Sequence, residues 1–185
     1  LLMLSGIGEE SELSSLKIPI VEKLPGVGKN LSDHLELYIQ YHCKQPVSLF
    51  PALKWFNQPG IGLKWYLTGQ GAGASNHFET GAFLKSSDSV LYPDLQYHFL
   101  PLAMNYDGSD KYNDHGFQVH VGPMKPTSRG SVSLASSDPK ESPKISFNYN
   151  STKQDQSVMR QGIRLAREIV SQSAFDEYRG AEIKP

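Results

Sequence analysis

Thiol chemistry is almost absent from this chain, which has one cysteine, Cys43, in 185 residues. A lone cysteine excludes an internal disulfide and the cysteine-based zinc spacings, and it allows a reducing compartment. No apolar run approaches the roughly 18 residues that a bilayer span requires. Charge of one sign is lacking too: 18 Lys and Arg against 19 Asp and Glu leave a net charge of −1. No basic face therefore attracts nucleic acid by bulk electrostatics. None of the six histidines (His34, His42, His77, His98, His115, His120) stands at the His-x-x-x-His spacing of a helical zinc site. There is no P-loop and no Gly-x-Ser-x-Gly elbow. Gly6-x-Gly8-x-x-Ser11 and Gly26-x-Gly28 have the glycines of a dinucleotide fingerprint without its setting. That fingerprint follows a strand and opens a helix, so helix stop and turn are the better readings here.

What is present suits an ordinary globular protein: 38% apolar and 20% charged residues. The length allows one domain with a core, or one domain plus a piece of another. The chain starts within the apolar run Leu1–Leu4 without an initiator Met, so both ends are expected to be cuts. Residues 1–5 read as the end of a buried helix, stopped at Ser5-Gly6-Ile7-Gly8. Residues 9–16 read as a short helix, 18–21 as an extended piece, and 24–30 as a Gly/Pro loop. From Leu35 to Cys43 the odd positions are Leu, Leu, Ile, Tyr and Cys, and the even ones Glu36, Tyr38, Gln40 and His42. Such alternation marks a strand with one apolar and one polar face. Further runs follow around Phe78–Leu84, Leu95–Phe99, Phe117–Val121 and Val132–Leu134, with a short sixth at Ile145–Phe147. Near the end Val158, Met159, Ile163, Ala166, Ile169 and Val170 recur at helical spacing, with Ser151 or Thr152 as the cap. These patterns predict an α+β fold, a mostly antiparallel sheet of about six strands with helices on one face. A second helix is expected around Trp55–Tyr66, before the glycines at 69, 71 and 73. No internal repeat or low-complexity stretch is visible. The boundary is expected where loop gives way to sheet, dividing residues 1–33 from 34–185.

Two polar-face residues bear on chemistry. His98 lies on the polar side of a strand otherwise built of Leu95, Tyr97 and Phe99, where a neutral imidazole can hydrogen-bond a substrate hydroxyl. Glu36 shares a face with Tyr38. It reads either as a solvated strand carboxylate or as an anion inside an aromatic cavity. Trp55, Trp65, Tyr66 and Phe78 are the candidate walls, unless they are plain core. Carboxylate and aromatic faces together hold a quaternary ammonium, which has no N–H to donate.

In order along the chain stand Ser5-Gly6-Ile7-Gly8, Pro25-Gly26-Val27-Gly28-Lys29-Asn30-Leu31-Ser32-Asp33-His34, Asp33-His34-Leu35-Glu36, Ala74-Ser75-Asn76-His77-Phe78-Glu79, Pro93-Asp94-Leu95-Gln96-Tyr97-His98-Phe99-Leu100-Pro101 and Ser128-Arg129-Gly130. This series resembles the glucose–methanol–choline (GMC) oxidoreductase family over essentially the whole chain, and within it the choline-oxidising flavoenzymes. The resemblance implies FAD as cofactor, choline as small-molecule substrate and hydride transfer to the flavin, in a protein made for glycine betaine synthesis. It implies that Glu36 faces the trimethylammonium head, that Phe78 lines the same cavity, and that His98 binds or polarises the alcohol as a catalytic residue. It places Asn30, Asp33 and His34 near the cofactor and makes residues 1–33 a piece of the FAD-binding domain. The phosphate-binding loop and the catalytic base are expected in flanking segments, so the chain alone is expected to be inactive. The resemblance leaves the location open between a bacterial inner membrane or its cytoplasmic side and a mitochondrial inner membrane. The electron acceptor, and with it dehydrogenase against oxidase, stays open. So do a GMC branch acting on another alcohol or a sugar, and a non-catalytic β-rich ligand-binding module.

Overall fold

Alternation of period two and one long helical stripe decide how these residues fold. The structure is a computed structural model that describes residues 1–78, 80–106 and 112–184. In chain order the elements are β1 (Ile7–Gly8), α1 (Glu10–Ser15), β2 (Glu22–Lys23), β3 (Leu37–Cys43), α2 (Gln58–Thr68), β4 (Thr80–Leu84), β5 (Leu95–Leu100), β6 (Gly116–Pro123), β7 (Ser131–Ser133), β8 (Lys144–Ser146), α3 (Lys153–Ser171) and β9 (Arg179–Lys184), with short 3-10 turns between some of them. They divide into two compact units. One comprises Leu1–Leu35 and Lys125–Gln156; the other comprises Glu36–Met124 and the residues from Ser157 onward. The expected boundary at residues 33/34 lies near the first crossing. The expectation of one continuous domain from residue 34 is corrected, because residues 125–156 belong with the N-terminal segment.

The larger unit holds a five-stranded sheet in the order β4-β5-β6-β3-β9, antiparallel throughout. The first four expected strands are all there, though β3 starts at Leu37 and β4 at Thr80, so Glu36 and Phe78 stand just ahead of their strands. The expected fifth and sixth strands do not join this sheet. Val132 pairs with Ile145 in a separate two-stranded ribbon in the other unit. β9 takes the fifth place instead. Its sequence, Arg-Gly-Ala-Glu-Ile-Lys, has no apolar alternation, so pairing with β3 decides it and not pattern.

One face of the sheet is the core. Ile39, Tyr41, Leu95, Tyr97, Phe117, Val119 and Val121 pack with Ala166 and Val170 of α3. Apolar residues at i, i+3, i+4 and i+7 give α3 the stripe this face needs. Its cap is as expected: the Asp155 N–H donates to Thr152 Oγ1 at 3.2 Å. At Gly162 helix and sheet come close together. A Cβ there would lie 2.8 Å from Val121 Cγ2 and 3.0 Å from a Leu95 methyl. The Tyr97 hydroxyl donates to the Gly162 carbonyl at 2.9 Å. α2 forms as expected but buries no residue, since Leu63, Trp65, Tyr66 and Leu67 point around it without a single stripe. No described helix is long and apolar enough to cross a membrane.

In the smaller unit, the expected helix end at residues 1–5 is instead a 3-10 turn over Met3–Ser5, of which only Met3 is buried. Gly6 closes it at φ +81°, as the sequence predicts, and a Cβ there would strike the Pro19 carbonyl at 2.2 Å. Met3, Leu13 and Ile18 form a small core with Val27, Val132 and Leu134. The Asp155 carboxylate accepts the Thr127 and Ser128 N–H groups at 2.8 and 2.7 Å, and both hydroxyls. Burial pushes this carboxyl up, but the hydrogen bonds from Ser128 and Thr127 outweigh it and bring it to about 2.

A carboxylate held below its unfolded value stabilises the fold above that value, and the contribution is lost as pH falls through the folded value. Acidification from about pH 4 to about pH 2 should therefore remove about 2 kcal/mol through Asp155. Urea unfolding of the full-length protein should show this slope, and the Asp155→Asn variant should lack it.

Candidate active site

The residues that alternate away from the core share the other face of the sheet. Strand register sets Tyr38 opposite His120, His120 opposite His98, and His98 opposite Gly81. This single row crosses β3, β6, β5 and β4. The next row sets Gln40 beside Gln118. Glu36, Phe78, His98, Tyr106 and His120 line a cavity of about 330 Å³ on this face. The three expected substrate residues, Glu36, Phe78 and His98, are thus brought together. A larger cavity of about 480 Å³ lies against Phe99, Phe117, Val119 and Phe175. It presents no carboxylate, so the smaller cavity is where charge recognition is possible.

His120 is the deepest ionisable group here, 3% exposed, whereas the Glu36 side chain is 44% exposed. The two are hydrogen-bonded through His120 Nδ1 and Glu36 Oε1. Which nitrogen holds the proton follows from the backbone. The Met104 N–H can only donate, and it donates to Gln118 Oε1 at 3.1 Å. Gln40 Nε2 donates to the same oxygen at 3.0 Å and to the Met104 carbonyl at 2.9 Å. Gln118 must then turn its NH₂ to His120 Nε2, 2.7 Å away, so Nε2 accepts. The ring proton sits on Nδ1 and is donated to Glu36. Burial lowers the His120 pKa below the ordinary histidine value; Glu36 opposes this and His98 adds to it. The imidazole is neutral at pH 7, and the Glu36 charge is left uncancelled. Among the described residues no donor takes Glu36 Oε2.

Aromatic rings share the cavity with this carboxylate. The Phe78 ring lies 6.0 Å from His98 and 5.5 Å from His120, both edge-on. Tyr106 packs edge-on to Tyr38 at 5.8 Å and to His120 at 5.7 Å. Burial, followed by Glu36, raises the Tyr106 pKa, so the phenol stays neutral. His98, half-buried, sits between Gly81 and His120 in the row. Of the expected aromatic walls only Phe78 is present. Trp55, Trp65 and Tyr66 are 81%, 52% and 80% exposed on or beside α2, and none lines the cavity. His120 and Tyr106 are absent from the sequence-based list. Alternation put His120 on a polar face, but only strand pairing puts that face next to Glu36.

The residues expected near the cofactor lie in the smaller unit. All three are exposed, and Asn30 has a positive φ of 58°. Asp33 accepts the Tyr149 hydroxyl and the His34 N–H, and the Tyr149 bond, followed by that N–H, holds its carboxyl below the usual range. The side chains of Asn30 and His34 make no hydrogen bond among the described residues. Asp33, by contrast, is already engaged. No described cluster of His, Cys, Asp and Glu is arranged to hold a metal ion.

Residues 126–185 match the family model described as GMC oxidoreductase. Over all 185 residues the chain is 56% identical to oxygen-dependent choline dehydrogenases of Citrobacter koseri and Yersinia pestis. It covers 33% of each, so it spans about a third of the length of these curated relatives. Among solved structures, 99% of the chain superposes on 37% of a formate oxidase variant from Aspergillus oryzae, with a TM-score of 0.87 and 23% identity. All of it superposes on 33% of pyridoxine 4-oxidase from Mesorbium loti, with a TM-score of 0.79 and 21% identity. At such identities the likeness is one of fold.

Proposed function

The chain belongs to the GMC oxidoreductase family, and we propose that it is the substrate-recognition part of an FAD-dependent dehydrogenase that oxidises choline to betaine aldehyde. One observation carries this reading: a half-exposed carboxylate, Glu36, stands uncancelled in a cavity walled by Phe78 and Tyr106. A trimethylammonium head has no N–H and cannot be recognised by hydrogen bonding. It is recognised by charge and by aromatic faces. The relatives named as choline dehydrogenases support the choice of alcohol.

Only two carbons separate the cation of choline from its hydroxyl, so one cavity takes both ends. With the head at Glu36, the hydroxyl is left to His98, the other imidazole in the lining. His98 binds and polarises that hydroxyl. Bound FAD would supply the hydride acceptor for the α-carbon. Asn30, Asp33 and His34 are the residues of this chain assigned to its neighbourhood. The group that takes the hydroxyl proton is assigned to the part of the longer polypeptide that this chain does not span. The neutral Phe78 and Tyr106 faces favour a weakly hydrated quaternary cation over small, strongly hydrated ones.

Two kinetic outcomes check the roles in the full-length enzyme. Glu36→Gln should raise the KM for choline about tenfold or more, about 1.4 kcal/mol per decade, with a smaller change in kcat. Unchanged choline kinetics would move the reading to a GMC branch acting on a neutral alcohol. His98→Ala should lower kcat about a hundredfold while barely changing inhibition by ethyltrimethylammonium, which has no hydroxyl. Equal losses in both would remove the hydroxyl-polarising role.

A further inference from the structure

Gln118 and Gln40 are 0% and 2% exposed, and neither lines the cavity. Their side chains nevertheless control it. We propose that His120 is a positioning residue whose tautomer, locked by Gln118 and Gln40, keeps Glu36 a receptor for a permanent cation. This rests on the reading of the cavity as a choline site.

A second proton on His120 would sit on Nε2, facing the Gln118 NH₂ at 2.7 Å, donor against donor, with the Tyr106 hydroxyl at 3.4 Å as a long and weak alternative acceptor. Turning the Gln118 amide to accept that proton would set its NH₂ against the Met104 N–H and Gln40 Nε2, which now lie 3.1 and 3.0 Å from Oε1. One gained bond would thus break two, one buried and one part-buried, where an unmet donor is costly. The lock therefore keeps the ring neutral. The ionisable groups facing His120 are Glu36 ahead of β3, Tyr38 on β3, His98 on β5 and Tyr106 after β5. Only Glu36 among them draws a proton toward the ring. Were His120 cationic, the pair would be neutral overall, and an uncharged alcohol would suit the cavity as well as choline does. The Nδ1–H has a second effect: it engages Oε1 and leaves Oε2 to the substrate.

The quantity to measure is selectivity in the full-length flavoenzyme. It is the ratio of kcat/KM for choline to kcat/KM for 3,3-dimethylbutan-1-ol, its uncharged isostere, followed between about pH 6 and about pH 8, across the ordinary histidine range. The wild-type ratio should be flat. In Gln118→Leu, with the lock gone, it should fall about fivefold or more as pH drops, and the double variant Gln118→Leu/His120→Asn, whose amide donates to Glu36 but does not titrate, should be flat again. A flat profile in Gln118→Leu, or a falling one in the wild type, overturns the lock. If Gln118→Leu yields no folded flavoprotein, the His120 variants decide. His120→Leu should lose about tenfold in selectivity while His120→Asn stays within about threefold, and equal losses overturn the proposal. Glu36→Gln separates the two readings. If it abolishes selectivity while all the His120 and Gln118 variants behave as wild type, the relay is wrong and the choline site stands. If it leaves selectivity intact, the choline reading itself is wrong.

Discussion

The hydrogen bond between Glu36 and His120 is the constraint on which the polar side of this fold depends. A histidine at 3% exposure must have both ring nitrogens met, or lose about 1–3 kcal/mol for each buried group left unmet. Glu36 meets Nδ1, and Gln118 meets Nε2. Gln118 is itself fully buried and is met by a backbone N–H and by Gln40. The chain of donors begins at a peptide group, whose direction cannot reverse, and ends at a carboxylate. Each member orients the next. No buried side-chain polar atom is left without a partner among the described residues. The arrangement thus reconciles a wet, charged cavity with the dry middle of a sheet.

The same strands do two jobs because their side chains alternate. Tyr41, Tyr97, Val119 and Val121 hold α3 on one face, while Tyr38, His98 and His120 form the row on the other. A one-residue slip in register would exchange the faces and put Val119 where His120 must be. The close approach at Gly162 fixes α3 against Leu95 and Val121, the immediate neighbours of Gln96 and His120 in those strands. Core packing on one side therefore holds the imidazoles in place on the other.

Much of this was legible in the sequence wherever a pattern was local. Alternation revealed β3, β4, β5 and β6, with His98 and His120 on them and Glu36 just ahead of β3; helical spacing revealed α3 and its Thr152 cap. Motif resemblance singled out Glu36, Phe78 and His98, which the fold does bring into one cavity. What sequence did not disclose were matters of pairing. β9 has no apolar period of its own and is defined by β3. Val132 and Ile145 alternate well but choose each other. Trp55 and Trp65 have the right chemistry for a cation cage, yet α2 and the turn before it carry them elsewhere. The importance of His120 comes from which strand lies beside it, which no local pattern discloses.

A structure of the full-length enzyme with glycine betaine, a trimethylammonium compound without the reactive hydroxyl, bears most directly on the claim that Glu36 anchors a cation. The quaternary nitrogen should lie within about 6 Å of the Phe78 or Tyr106 ring centre, the range of cation–π contact, with Glu36 Oε2 as its nearest anionic oxygen and Oε1 still bonded to His120. A trimethylammonium group bound away from Glu36, or a carboxylate of the ligand turned toward it, would contradict that claim.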